Sequence, residues 1–191
     1  MGGRPKSLLE MDGTALIKIV VDALRANAVD PIIVVLGHHA GAIQKILHDL
    51  PVTPVLNPSP DDGQFTSLRI GLQAVPHAVD AVIVALADQP MITATDIADL
   101  IQEVGIPGAA RMVVPRIDGQ PGNPVVIDAA LRDEWLAGEA KAAGQAWRKA
   151  NPTRVHWLDT SNDHYRVDID TPEDVAQFAA RTGHTLCWPH A

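Results

Sequence analysis

The sequence predicts an α/β fold: a doubly wound, mostly parallel sheet with helices on both faces, three layers in all. Two observations carry this. Short β-branched runs alternate with amphipathic stretches along the chain. The runs 32–36 and 81–86 are apolar throughout rather than alternating, as strands covered on both faces are. Composition agrees: 191 residues, 47% hydrophobic and 20% charged, suit one domain over 1–191 with a substantial core.

Each element has its own signal. Thr14 caps a helix to about residue 28, with Leu16, Ile17, Val20 and Leu24 on one face. Pro31 introduces the strand at 32–37. The next helix buries Ile43, Ile46, Leu47 and Leu50, and a short strand follows at 52–56. Residues 57–63 are a loop by composition. A helix spans 66–75 and a fully buried strand 81–86. Thr93 caps a helix to about 104, with Asp96 at its positive end. Strands are expected at 111–115 and 124–127, around a turn-rich loop at 118–123. One helix without clear boundaries falls between 129 and 150, and a strand follows at 155–158. Thr171-Pro172-Glu173-Asp174 combines a cap, a proline at the first helical position and acids, a strong helix start.

Composition also excludes function classes. Aromatic residues at 4% and a net charge of −8 make nucleic acid a poor partner. A single cysteine, Cys187, forms no internal disulfide, so a reduced, cytoplasmic setting is expected. No apolar run approaches the ~18 residues of a membrane span. The start carries no apolar core of a secretory signal.

In doubly wound sheets, ligands sit beyond the carboxyl ends of the strands. Asp88, in Ala87-Asp88-Gln89-Pro90, directly follows such a strand. A carboxylate there suits Mg²⁺ held against a phosphate, or is plainly a helix cap or turn acid. Asp168-Ile169-Asp170 puts two carboxylates on one side of an extended segment. They repel unless a cation or donors lie between them; otherwise Asp170 serves the cap at Thr171 and Asp168 is solvated. Arg4-Pro5-Lys6 is a basic patch or a solvated tail. Gly63-Gln64-Phe65-Thr66-Ser67 opens a helix with hydroxyls that suit an anion or a base edge, or form a plain cap. His38, His39, His184 and His190 show no linking ligand spacing, and structural zinc favours cysteines. Trp188 and Cys187 either pack the C-terminus or lie exposed.

In this order the motifs resemble the molybdenum cofactor cytidylyltransferase-like family of nucleotidyltransferases. Met1-Gly2-Gly3-Arg4-Pro5-Lys6 matches the tail of the family's opening motif. Gly63 through Leu72 is similar to its Gly-x-x-x-Ser-Leu-x-x-Gly-Leu segment, and Ala87-Asp88-Gln89-Pro90 to its Gly-Asp-Gln-Pro. Asp168-Ile169-Asp170-Thr171-Pro172-Glu173-Asp174 matches the closing motif. Gly122-Asn123-Pro124 resembles a Gly-His-Pro. The resemblance runs from Met1 to about Phe178 and implies a Rossmann-like nucleotidyltransferase fold.

That resemblance also implies a reaction. A phosphate on an acceptor such as molybdopterin attacks the α-phosphate of CTP or another nucleoside triphosphate, and pyrophosphate leaves. Lys6 and Asp88 are then the catalytic pair. Gly3, Arg4 and Lys6 take the triphosphate, and Gly63 and Ser67 the nucleotide base. Asp88 holds Mg²⁺ with Asp168 or Asp170, and Gly122 and Asn123 face the acceptor. A molybdoenzyme or its chaperone is the implied protein partner.

Some positions depart from the family pattern. Ala87 replaces a Gly and Asn123 a His. Residues 138–145 follow a Gly-Asp-x-Gly-Ala-Arg motif only loosely, with no basic residue at its Arg position. Met1 falls on an internal Met of the opening motif, so the first strand and its Gly-rich loop are expected to be absent. Their loss exposes two strand edges and removes backbone amides for a triphosphate. The expectation is a natural start farther upstream. Two other classes compete. One is an NAD(P)H-dependent oxidoreductase of a quinonoid pigment from nicotine breakdown, the assignment of some relatives. No Gly-x-Gly-x-x-Gly follows a predicted strand in its support. The other is a non-catalytic accessory protein that carries a pterin cofactor.

Overall fold

A computed structural model describes residues 4–104, 112–138 and 144–189. Gly3, Arg111, residues 139–143 of the loosely matched motif and His190 lie outside the described residues.

The chain opens with a 3-10 turn, Lys6–Leu8, then a hairpin of β1 (Glu10–Met11) and β2 (Thr14–Ala15). Its two turn residues, Asp12 and Gly13, have φ of 50° and 84°. Asp-Gly is the dipeptide that tolerates this left-handed pair. Thr14 therefore pairs with Met11 instead of capping a helix, and α1 (Leu16–Arg25) begins after Ala15 without a side-chain cap. Leu16, Ile17, Val20 and Leu24 are buried, as their spacing demands.

β3 (Ile33–Leu36), α2 (Ala40–Leu47), β4 (Thr53–Leu56), α3 (Gln64–Ala74) and β5 (Ala81–Val84) follow. In α2, Ile43 and Leu47 face the core, but Ile46 stays exposed and Leu50 packs from beyond the helix end. The start of α4 (Ala94–Val104) is closed reciprocally. The Thr93 N–H donates to the Asp96 carboxylate at 2.8 Å, and the Asp96 N–H donates to the Thr93 hydroxyl at 3.3 Å. Then come β6 (Met112–Ile117), β7 (Gln120–Pro121) and β8 (Val125–Asp128). The single helix expected between 129 and 150 is two, α5 (Ala129–Ala137) and α6 (Gln145–Ala150). β9 (Val155–Asp159), α7 (Pro172–Thr182) and β10 (Leu186–Cys187) complete the order. Thr171 and Asp174 close a full capping box on α7.

The α/β class with parallel-rich sheets is borne out. β3 pairs with β4 and β6 with β9, both in parallel. β8 lies between β5 and β6 and runs against both. Strands β10, β1 and β2 form a small antiparallel sheet beside the core. No described helix is long and apolar enough to cross a membrane.

The sheet is divided. Among the described strands, β3 pairs only with β4, and β5 only with β8. A cavity of about 1410 Å³ lies along their free edges, lined by Val35 and Ile33, by Val82 and Val84, and by α1 and α3 through Val21 and Leu72. Leu36 and Ala87, at the carboxyl ends of β3 and β5, join one apolar cluster, so the two strands run the same way. Both edges are open among the described strands. They also explain why β5, predicted fully buried, is only half-buried along its length.

Candidate active site

The cavity ends beyond the carboxyl end of β5, where Asp88 stands. Its Oδ2 lies 3.1 Å from Lys6 Nζ. The same ammonium donates to Asp170 Oδ1. Local structure explains this meeting. Lys6 is held in its 3-10 turn, whose carbonyls at Pro5 and Lys6 accept from Leu8 and Leu9 at 2.9 Å each. The Ile169 N–H donates to the Asp88 carbonyl at 3.2 Å. Ile169 is fully buried among Leu9, Leu16 and Phe178. Because side chains alternate along an extended segment, burying Ile169 turns Asp168 and Asp170 the other way. The Asp174 carboxylate then accepts from the Asp170 and Thr171 N–H groups at 3.0 and 2.7 Å, which fixes the segment at the start of α7.

The electrostatics fit a cation site. Partial burial works against the charge of Lys6, but hydrogen bonds and attraction from Asp170 and Asp88 outweigh it and raise its pKa. The Asp168 carboxyl is also raised, by burial first and then by repulsion from Asp170 and Asp88. The three acids thus feel one another, and Lys6 offsets two of them. Among the described residues no three His, Cys, Asp or Glu side chains stand together at ligand spacing. Two carboxylates meeting at one point nevertheless match how Mg²⁺ is usually held, by one or two acids plus substrate phosphates.

Gln89 was not singled out by sequence, yet it ties the site together. Its side chain is buried, and Nε2 donates to the carbonyls of Asn123 and Tyr165 at 3.2 Å each. Its Oε1 is buried without a partner among the described residues. The Gly122 and Asn123 N–H groups donate to Pro115 and Tyr165 carbonyls at 2.8 Å each. Gly122 and Asn123 therefore share the cavity wall with Asp88. A Cβ at Gly122 would stand 2.6 Å from the Tyr165 carbonyl oxygen. Gly122→Ala is expected to cost about 1–3 kcal/mol, read as a fall in urea midpoint, because backbone must move.

Ser67 lines the cavity with Gln64 and Phe65. Asn57, buried and also missed by sequence, donates from Nδ2 to the Thr66 and Ser67 hydroxyls at 3.0 and 2.9 Å. The Thr66 hydroxyl donates to the Gly63 carbonyl at 2.7 Å, whereas the Ser67 hydroxyl accepts from Asn57 and has no acceptor for its own proton among the described residues. Gly63 shapes the start of α3 with φ 100° and is not part of the cavity wall. Arg4 is not brought to the acids: its guanidinium lies over the Trp188 ring, 5.4 Å from the centroid. His38 pairs with Asp61 and His184 with Asp12, and no metal-ligand cluster of histidines forms among the described residues.

An acid pair bound to a lysine beyond a strand's carboxyl end, inside an α/β cavity, stands where open α/β sheets bind their ligands. The model of the MobA-like NTP transferase domain matches residues 1–159, and the chain belongs to that family. It is 27% identical over 183 residues to the "Nicotine blue oxidoreductase" of Paenarthrobacter nicotinovorans, covering 92% of this chain and 88% of that one. Two solved structures share the fold. One is a nucleotidyl transferase from Methanothermobacter thermautotroptrophicus, with TM-score 0.74, 24% identity, and coverage of 92% of this chain and 84% of that one. The other is the complex of Rv0371c from Mycobacterium tuberculosis with manganese, with TM-score 0.74, 24% identity, and coverage of 92% and 91%.

Proposed function

We propose that this nucleotidyltransferase moves a nucleotidyl group from CTP to a phosphorylated small acceptor of the molybdopterin type. The observation that carries it is the convergence of Asp88 and Asp170 on Lys6, in one cavity with Ser67, Gly122 and Asn123. An oxygen of the acceptor phosphate attacks the α-phosphorus. The bond from that phosphorus to the oxygen bridging to the β-phosphate breaks, and pyrophosphate leaves with the electron pair. Such chemistry asks the protein mainly for positioning and charge neutralisation.

Asp88 and Asp170 are the residues to hold Mg²⁺, with Asp168 behind them. When bound, the ion offsets the charge of the triphosphate. That the Rv0371c protein was solved as a complex with manganese supports a divalent ion in this reading. Lys6 adds a fixed positive charge, Ser67 offers its hydroxyl proton to the base, and the Gly122-Asn123 turn presents backbone and amide to the acceptor. A cytoplasmic setting, and delivery of the product to a molybdoenzyme or its chaperone, fit this reading.

The purified chain incubated with molybdopterin and each nucleoside triphosphate should release pyrophosphate fastest from CTP, and only with Mg²⁺ or Mn²⁺. Equal release without metal, or none from any triphosphate, would overturn the reading. The oxidoreductase alternative is not favoured. No Gly-x-Gly-x-x-Gly turn follows β3, β4 or β5 to receive NAD(P)H.

A further inference from the structure

Among the described residues, two cations line the cavity, Lys6 and Arg148. Lys6 is engaged by Asp88 and Asp170. Arg148, on α6, is half-buried, and its guanidinium lies over the Trp157 ring at 5.7 Å from the centroid. Its neighbours in this aromatic cluster are all neutralised. Arg116 lies over the same ring at 4.9 Å and bonds both oxygens of Asp159, at 2.6 and 2.7 Å. Arg154 lies over Trp147 at 4.8 Å and bonds Glu134 at 2.6 Å. Among the described residues, no carboxylate is within ion-pair distance of Arg148. Burial lowers its pKa, the mark of a charge without compensation.

The position of Arg148 is informative. Gly144 and Gln145, from the same turn of chain, line the cavity beside it, and so do Gly122 and Asn123. Gly122 follows Pro121, which pairs with Arg116 in the β6–β7 hairpin. Trp157 therefore connects Arg148 to the strand pair that presents the Gly122-Asn123 turn. A guanidinium stacked on an indole keeps its planar fork aimed and ready for two parallel hydrogen bonds to an oxyanion.

We propose that Arg148 is the anion-binding residue of the acceptor pocket. It takes an oxyanionic group of the second substrate, phosphate or carboxylate, beside Gly122 and Asn123. This rests on the nucleotidyl-transfer reading for its biological meaning, but the binding itself needs neither nucleotide nor metal.

Titration calorimetry of the full chain tests it, with inorganic phosphate and acetate as separate probes and no metal present. The expected result is phosphate binding that weakens at least tenfold in Arg148→Ala, is partly kept in Arg148→Lys, and is unchanged in Arg154→Ala. Acetate binding stronger than phosphate binding would identify a carboxylate acceptor group instead. If Arg148→Ala does not fold by circular dichroism, Arg148→Gln carries the same test. Equal phosphate affinity in wild type and the Arg148 variants overturns the proposal, as does an equal loss in Arg154→Ala. In the transfer assay, Arg148→Ala should raise KM for molybdopterin at least tenfold and leave KM for CTP unchanged. Phosphate binding lost in Arg148→Ala, together with no pyrophosphate release from wild type, would overturn the transfer reading and leave the anion site standing.

Discussion

Asp88→Asn should lower pyrophosphate release from CTP by about a hundred- to a thousandfold, the usual effect of removing one preorganised charge-stabilising group. The substitution keeps shape and one acceptor oxygen, so the Lys6 ammonium can still donate to it, now to a neutral amide, and circular dichroism should not change. Only the charge goes. Asp88 is the least exposed partner of Lys6, its side chain 22% accessible against 60% for Asp170. Water screens it less, and its charge counts for more. Asp170→Asn should therefore cost less than Asp88→Asn, and Asp168→Asn least. Asp168 makes no ion pair with Lys6, and losing its charge relieves repulsion within the cluster. If Asp168→Asn matched Asp88→Asn, the ordering of the acids would be wrong. If Asp88→Asn kept full activity, the acid pair would not serve the reaction at all.

The sequence carried the fold class and the acids, and physical reasons separate these from what it did not carry. Apolar runs report that a strand is covered, but not which way its neighbour runs. Nothing in residues 124–127 announced that β8 is antiparallel. The hairpin before α1 was legible in principle: Asp12-Gly13 is a strong two-residue turn signal, and it outranks a lone Thr as a helix cap. Asp170 could be separated from Asp168 only by seeing which carboxylate reaches Lys6, a contact spanning 164 positions. Gln89 and Asn57 were invisible for the same reason. Their work is to satisfy backbone and hydroxyl groups from distant loops, and local pattern does not encode such partners. Arg148 lies outside the Gly-Asp-x-Gly-Ala-Arg match at 138–145, and nothing in its local sequence marks it. Its significance comes from having no carboxylate partner among the described residues, which only the packed structure shows.

Joining a strand of five apolar residues ahead of Met1 should raise the thermal midpoint by about 10 °C. The cavity between β3 and β5 is bordered by two parallel strand edges that no other described strand pairs, and by apolar side chains of α1 and α3. Lys6 lies at the carboxyl end of this slot beside Asp88, so a strand parallel to both neighbours would end where the described chain begins. Five buried aliphatic side chains contribute on the order of 10 kcal/mol. Ordering their backbone costs about 1–2 kcal/mol per residue. The surplus is a few kcal/mol, worth about 2–4 °C each in a chain of this size. Amides of β3 and β5 should exchange with solvent more slowly in the fused protein. A fusion of equal length with alternating Pro and Asp should change neither property, since it can neither pair nor be buried. Equal melting of the two fusions would mean that the slot does not accept a strand. The cavity that runs between the strands also holds Lys6, Asp88 and Asp170. A strand filling it would bring its last backbone N–H groups to those residues, where a triphosphate needs donors. The apolar fusion should therefore tighten CTP binding as well as raise stability, and the Pro-Asp fusion should do neither.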